Sequence, residues 1–207
     1  MARNHFLTLA VEGDSDAAVA RRLASGAGFT VATCHVAGGK HRLDRRLPGY
    51  LRASRFGRWL VLRDLDHDAP CAPELHDRLR PPVVEFPNLL LRIAVRSVES
   101  WLLADREGLG RFLGISVDSI PSHPDRLDRP KRTLVDLARK SRSREIRDDM
   151  VPERGISAEV GPGYVARLVE FSVARWNPES AARSSPSLLR CTSALKRLFD
   201  QRVNSSS

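Results

Sequence analysis

The feature that most constrains the fold is an alternation in the N-terminal half, where short apolar runs are each followed by a stretch of helical periodicity. Residues 5–11 (HFLTLAV) are apolar and partly β-branched and read as a strand. Glu12-Gly13-Asp14 follows at once, and Ala17, Ala18, Val19, Leu23 and Ala24 then recur at helical spacing. Asp14 is the expected N-cap, Asp16 adds negative charge to the first turn, and Gly26 and Gly28 end the helix. Residues 29–36 (FTVATCHV) read as a second strand and Gly38-Gly39-Lys40 as a turn. An Arg-rich helix then runs through Leu43, Leu47 and Leu51, where Pro48 is expected to kink or split it. Residues 58–63 (RWLVLR) read as a third strand buried on both faces, and Asp64-Leu65-Asp66-His67-Asp68 follows directly. Residues 70–80 read as loop and short helix, residues 89–95 (LLLRIAV) as a fourth strand, and Val98, Trp101, Leu102 and Leu109 as a further helical pattern.

Strands alternating with helices predict an α/β fold, a mostly parallel four-stranded sheet with helices on both faces. Strand signals stop near residue 105, and residues 130–140, 163–176 and 186–203 all look helical, the last opened by Ser185 as N-cap and Pro186 at the first helical position. The expected organisation is an α/β core over residues 1–105 and a helical extension over 106–207 packed on it, with residues 204–207 as a disordered tail. There is no internal repeat. Trp101, Phe171, Trp176 and Phe199 fall at helical spacings with leucines and read as core. Cys34, Cys71 and Cys191 form no CxxC pair and no zinc spacing, and no apolar run reaches the length of a membrane span. The expectation is a cytoplasmic, reduced protein.

Glu12 stands just past the first strand, and Asp64 and Asp66 just past the third. Ligands of open α/β sheets bind outside the carboxyl ends of the strands, where the strand order reverses. If strands one and three are neighbours with strand two outside strand one, these three carboxylates share one crevice. Crowded carboxylates repel, so without a cation at least one should have a raised pKa. A hard divalent cation, Mg²⁺ or Mn²⁺, resolves the conflict with oxygen ligands from carboxylates, water and phosphate. Glu99, after the fourth strand, could complete the cluster by binding a second metal or holding a water; the alternative is a first-turn glutamate favoured by the helix dipole. Asp68 reads as a supporting or loop residue.

Val11-Glu12-Gly13-x-x-Asp16 and Asp64-x-Asp66 resemble the two motifs of the Toprim domain, found in topoisomerases, bacterial primases, recombination proteins and the overcoming-lysogenization-defect nucleases. That resemblance covers about residues 5–105. Most of the chain also resembles an uncharacterised bacterial family of Toprim-like proteins often encoded beside ATPases. The residues that carry this are Val61-Leu62-Arg63-Asp64-Leu65-Asp66, Arg92-Ile93-Ala94-Val95, Glu99-Ser100-Trp101-Leu102-Leu103-Ala104-Asp105, Pro130-Lys131 and Gly161-Pro162-Gly163-Tyr164. The resemblance implies a metal-binding Toprim-like fold, nuclease chemistry at Glu12, Asp64 and Asp66, and an ATPase partner in a defence or DNA-processing system; Glu99 joins the candidate catalytic residues from its place after the fourth strand.

The formal net charge of +9 and pI near 10.4 suit a polyanionic partner, DNA or RNA, although an Arg-rich composition alone gives the same numbers. From Arg126 to Arg147 there are nine Lys/Arg against three Asp/Glu. Lys131, Arg132, Arg139 and Lys140 are the expected nucleic-acid path, against the alternative of a solvated helix face or a protein-partner surface. Lys40 reads either as a phosphate contact or as a solvated lysine, and among the histidines only His67, beside the aspartates, merits a test. Tyr50 and Tyr164 are the only tyrosines, and there is too little chain for gate domains or a primase, so hydrolysis by water leads. The rival readings are a non-catalytic subunit of an ATPase-containing complex, or phosphotransfer or phosphatase activity on small nucleotides.

Overall fold

The computed structural model describes residues 5–80 and 86–201; the expected C-terminal tail lies outside them. Four strands, β1 (Phe6–Val11), β2 (Thr30–Val36), β3 (Arg58–Asp64) and β4 (Leu89–Ala94), form one all-parallel sheet in the order β2-β1-β3-β4. Helices α1 (Asp14–Gly26), α2 (Lys40–Ala53) and α3 (Ala72–Leu79) make the crossovers. The chain first moves outward from β1 to β2, then crosses back to β3, so the strand order reverses between β1 and β3. The crevice therefore opens above that pair.

Side chains alternate across a strand, and the sequence uses both faces. Leu7, Leu9, Val11, Leu60 and Leu62 enter one core, against α1 and the helices that follow β4. Ala10, Val61, Leu91 and Ile93 enter a second core with Leu43, Leu47, Tyr50 and Leu51 of α2 and Leu75 of α3. Each fully buried aliphatic or aromatic side chain contributes about 1.5–3 kcal/mol.

Beyond the sheet run α4 (Val98–Ala104), α5 (Arg106–Leu113), α6 (Pro130–Ala138), α7 (Arg144–Met150), α8 (Tyr164–Ala174), α9 (Pro178–Ala182) and α10 (Pro186–Asp200). Leu134, Leu168, Phe171, Trp176, Leu188 and Leu195 from this half belong to the same buried cluster as Leu7, Leu9 and Leu62. Trp101 Nε1 donates to Ser187 Oγ over 2.7 Å, and Trp176 Nε1 donates to the Trp101 carbonyl over 3.2 Å.

Local expectations meet four corrections. The N-cap of α1 is Gly13 rather than Asp14; Asp16, three residues on, accepts the Gly13 N–H over 3.2 Å. Pro48 does not split α2, because it sits on the solvent side, where water can satisfy the carbonyl it leaves without a donor. The helical pattern after β4 is two helices. The chain breaks at Asp105, whose buried carboxylate accepts the Gly108 N–H (3.1 Å) and the Asn177 N–H (2.8 Å). α7 and α9, short and rich in polar residues, gave no periodic signal. Ser185 caps α10 as expected, accepting from Leu188 N over 3.2 Å. No helix among the described residues is long and apolar enough to cross a membrane.

Candidate functional site

Ala10 is level with Val61 in the β1–β3 ladder, so Glu12, two residues on, comes level with the end of β3. Its Oε1 accepts the backbone N–H of Asp64 over 2.8 Å. Asp64 in turn accepts, through Oδ1, the N–H of Val98 over 3.0 Å, which fixes the start of α4 on the last residue of β3. Asp66 has φ 47°, a left-handed conformation that aspartate tolerates better than most residues. The loop after β4 clasps it there: Asp66 N–H donates to the Arg96 carbonyl (2.8 Å), and Arg96 Nη1 donates to the Asp66 carbonyl (2.7 Å). Glu99, in the first turn of α4, is buried and accepts from Ser97 Oγ (2.7 Å) and from the hydroxyl of Tyr164 (3.3 Å). Glu12, Asp64, Asp66 and Glu99 thus stand at one edge of the sheet.

Asp16 joins them. It is 5% exposed, its Oδ1 has no hydrogen-bond partner, and its charge is felt by Asp64 and interacts with Glu12 and Glu99. Burial, reinforced by Glu12 and Glu99, pushes its carboxyl up to about 7. Asp64 is driven well above the usual carboxylate range by burial and by the neighbouring Asp16, Glu99, Glu12 and Asp66. Glu12 is raised by burial, which outweighs the opposing effects of the Asp64 N–H and the Arg63 guanidinium. The expected conflict of crowded carboxylates is therefore present, and it falls hardest on Asp64 and Asp16.

Two cations moderate it. Arg63, with its side chain 3% exposed, forms a fork on Asp44 (3.0 and 3.2 Å), bonds Asp68, and lies 3.5 Å from Glu12 Oε1. It also donates to the Asp64 carbonyl. Lys40 Nζ, partly exposed, pairs with Asp66 (2.9 Å) and Asp68 (2.8 Å). Gly38 and Gly39, at φ 75° and 113°, aim their N–H groups at the Glu12 carbonyl (2.9 and 3.0 Å). Those amides are taken, and the turn that presents Lys40 is tied to the acidic strand end.

The cluster opens into a cleft of about 500 Å³. Asp64, Asp66, Asp68 and Glu99 line it together with Arg96, Arg129, Lys131 and Arg132; His67 and Asp128, exposed and also on its lining, lie 3.8 Å apart. Of the expected nucleic-acid path, Lys131 and Arg132 reach this cleft from the first turn of α6. Arg139 and Lys140 follow the far end of α6 and do not line it; Arg139 faces Asp136 at 3.6 Å.

A divalent cation would find hard oxygen donors here, one buried carboxylate oxygen without a partner, and carboxyls raised by burial and by one another's charge, which a cation would relieve. On donor chemistry the residues fit such an ion. Among the described residues, however, no group of three or more His, Cys, Asp or Glu side chains already surrounds a common point where a metal ion would sit. Individual oxygens of Asp64, Glu12, Glu99 and Asp66 accept from Val98 N, Asp64 N, Ser97 and Tyr164, and Lys40 respectively.

Asp16 was marked in the sequence by its spacing in Val11-Glu12-Gly13-x-x-Asp16, but three other contributors were not singled out. Arg63 was hidden in an apolar strand, where a lone buried arginine is itself the signal of carboxylate partners. Asp44 gave no signal in a helix rich in charge. Tyr164 lies far downstream, and only its glycine-rich neighbourhood marked it. No family model matches the chain, and no curated protein and no solved structure was found to be similar to it.

Proposed function

We propose that the chain is a divalent-metal-dependent phosphodiesterase acting on nucleic acid. One observation carries the reading: a single cleft is lined both by the carboxylates of Asp64, Asp66, Asp68 and Glu99 and by Arg96, Arg129, Lys131 and Arg132. A phosphate bridging a cation and basic side chains is the ligand such a cleft suits. Asp64 and Asp66 would hold the ion, with Glu12 or Asp16 beside them. A Mg²⁺ or Mn²⁺ ion there would polarise a phosphoryl oxygen and lower the pKa of a water. The chain's own residues do the rest. Lys131 and Arg132 hold the phosphate. Arg63 keeps Asp44, Asp68 and Glu12 in register, and Tyr164 and Ser97 orient Glu99. Glu12 and Asp16 are the groups placed to take a proton from water at the start of α1.

The test is cleavage of DNA and RNA by purified protein with Mg²⁺ or Mn²⁺, alone and with a neighbouring ATPase. Glu12→Ala should abolish cleavage and leave nucleic-acid binding largely intact, since basic residues supply most of the affinity. Absence of cleavage under all these conditions favours the second reading, a non-catalytic interaction subunit. The observation on that side is Lys40, whose ammonium pairs with both Asp66 and Asp68.

A further inference from the structure

Lys40 is the first residue of α2, where the helix dipole disfavours a cation. Nothing in helix formation calls for lysine there, and its partners lie outside the helix: Asp66 at 2.9 Å and Asp68 at 2.8 Å. Its backbone is pinned, because the preceding Gly38 and Gly39 N–H groups bond the Glu12 carbonyl. Its side chain is not pinned in the same way. Lys40 is 26% exposed and Asp66 40%, whereas Arg63 is 3% exposed and held by Asp44, Asp68 and Glu12. Of the two cations in the cluster, only Lys40 can leave. A second observation says the cluster still lacks positive charge with Lys40 in place: Asp16, 5% exposed, keeps a carboxylate oxygen with no partner beside Glu12 and Glu99. Lys40 also lines the cleft that Arg96, Lys131 and Arg132 line, so an ammonium released from Asp66 stays within the same cleft.

We propose that Lys40 is an internal counter-cation that occupies Asp66 in the metal-free protein, competes with the divalent cation for that carboxylate, and turns to the substrate phosphate once displaced. This rests on the metal-dependent reading of the cleft. Lysine suits the exchange because its ammonium is a compact charge on a flexible stem, while a guanidinium fork would hold its carboxylate in fixed geometry. The effect is modest, since partly exposed ion pairs are weak.

The experiment uses the full chain as wild type, Lys40→Ala, Lys40→Gln and Asp66→Asn, titrated with Mn²⁺ by calorimetry and followed by thermal melting. Lys40→Ala should bind Mn²⁺ about three- to tenfold more tightly than wild type, an interval set by the strength of one partly exposed ion pair plus the removed charge repulsion. Lys40→Gln should do the same while keeping the length of the side chain, and serves if the alanine variant does not fold. Asp66→Asn should weaken Mn²⁺ binding in either background. With Mn²⁺ bound, wild type should hold a short oligonucleotide with a log–log salt slope steeper by about 0.7–0.9 than Lys40→Ala; without Mn²⁺ the two slopes should agree. Equal Mn²⁺ affinity in wild type and both Lys40 variants, or weaker binding in the variants, overturns the competition and leaves the metal reading standing. No Mn²⁺ binding by any of the proteins overturns both.

Discussion

The hydroxyl of Tyr164, at the start of α8, donates to Glu99 Oε1 over 3.3 Å and so brings the helical half of the chain into the acidic cluster. Burial and the Glu99 charge hold the phenol well above its ordinary pKa, so it remains a donor throughout the neutral range. Tyr164→Phe leaves Glu99 with Ser97 as its remaining side-chain donor among these bonds. Loss of a buried hydrogen bond to a charged group predicts a destabilisation of about 1–3 kcal/mol. Urea denaturation checks it: an unchanged midpoint would mean that the hydroxyl contributes nothing to the folded state.

Asp16 predicts an unusual pH dependence for the metal-free protein. Its carboxyl sits at about 7 in the folded chain against an ordinary 3.8, so the folded state binds the extra proton. The associated stability is complete below pH 3.8, shrinks as pH rises and is lost through about pH 7, at a slope near 1.4 kcal/mol per unit in between. Asp64, raised in the same direction by burial and its acidic neighbours, adds to the decline. Asp16→Asn should flatten the pH dependence between about pH 5 and pH 7. Denaturation curves for wild type and variant that stay parallel across that window would refute the assignment.

Removing the aspartates separates structure from metal. Asp64 is buried and holds its proton readily, so Asp64→Asn combined with Asp66→Asn should fold in the absence of metal. In wild type, Mn²⁺ at about a hundred times its Kd should add roughly 2.7 kcal/mol by mass action. The double variant should show no such gain. An equal thermal shift in both proteins would show that the cation binds elsewhere.

The basic stretch divides in two. Lys131 and Arg132 line the cleft, whereas Arg139 and Lys140 follow the far end of α6. Lys131→Ala with Arg132→Ala should flatten the log–log salt slope of nucleic-acid binding by roughly 0.7–0.9 per lost contact. Arg139→Ala with Lys140→Ala should leave the slope near that of wild type. A reversed pattern in filter-binding or anisotropy titrations would place the nucleic acid away from the acidic cleft.

Gly161 and Gly163 are fixed by a close approach. A Cβ at Gly161 would lie 2.4 Å from the Asp149 carbonyl oxygen, and one at Gly163 would lie 2.6 Å from Asp149 Cβ. Gly161→Ala should therefore shift the start of α8, with Tyr164 on it, and cost on the order of 1–3 kcal/mol as an overpacking change. Its melting temperature should fall, and a variant as stable as wild type would show that the two segments separate easily.

The parallel four-stranded sheet was legible because β1, β3 and β4 are each dominated by apolar residues that must be buried, and helical stretches alternate with them. Glu12 and Asp64 were legible for the same reason: residues directly after such strands fall at the carboxyl edge. Tyr164 was not, because it lies 65 residues from Glu99 along the chain and their approach in space is set by how α8 packs on the core, which no local pattern encodes. Arg63 was masked by its own strand, whose apolar neighbours dominate the reading. The break at Asp105 was missed because α4 and α5 share one hydrophobic stripe; the interruption comes from a carboxylate whose second partner, Asn177, is remote in sequence.

Asp105 also bears on how the molecule comes apart. The expected boundary between an α/β half and a helical half runs through this side chain, which is 2% exposed and bonded forward to both Gly108 and Asn177. A protease or a truncation that cuts there finds no linker, only an interior. Hydrogen exchange should accordingly report the amides of β3 and α8 opening together, as one cooperative unit.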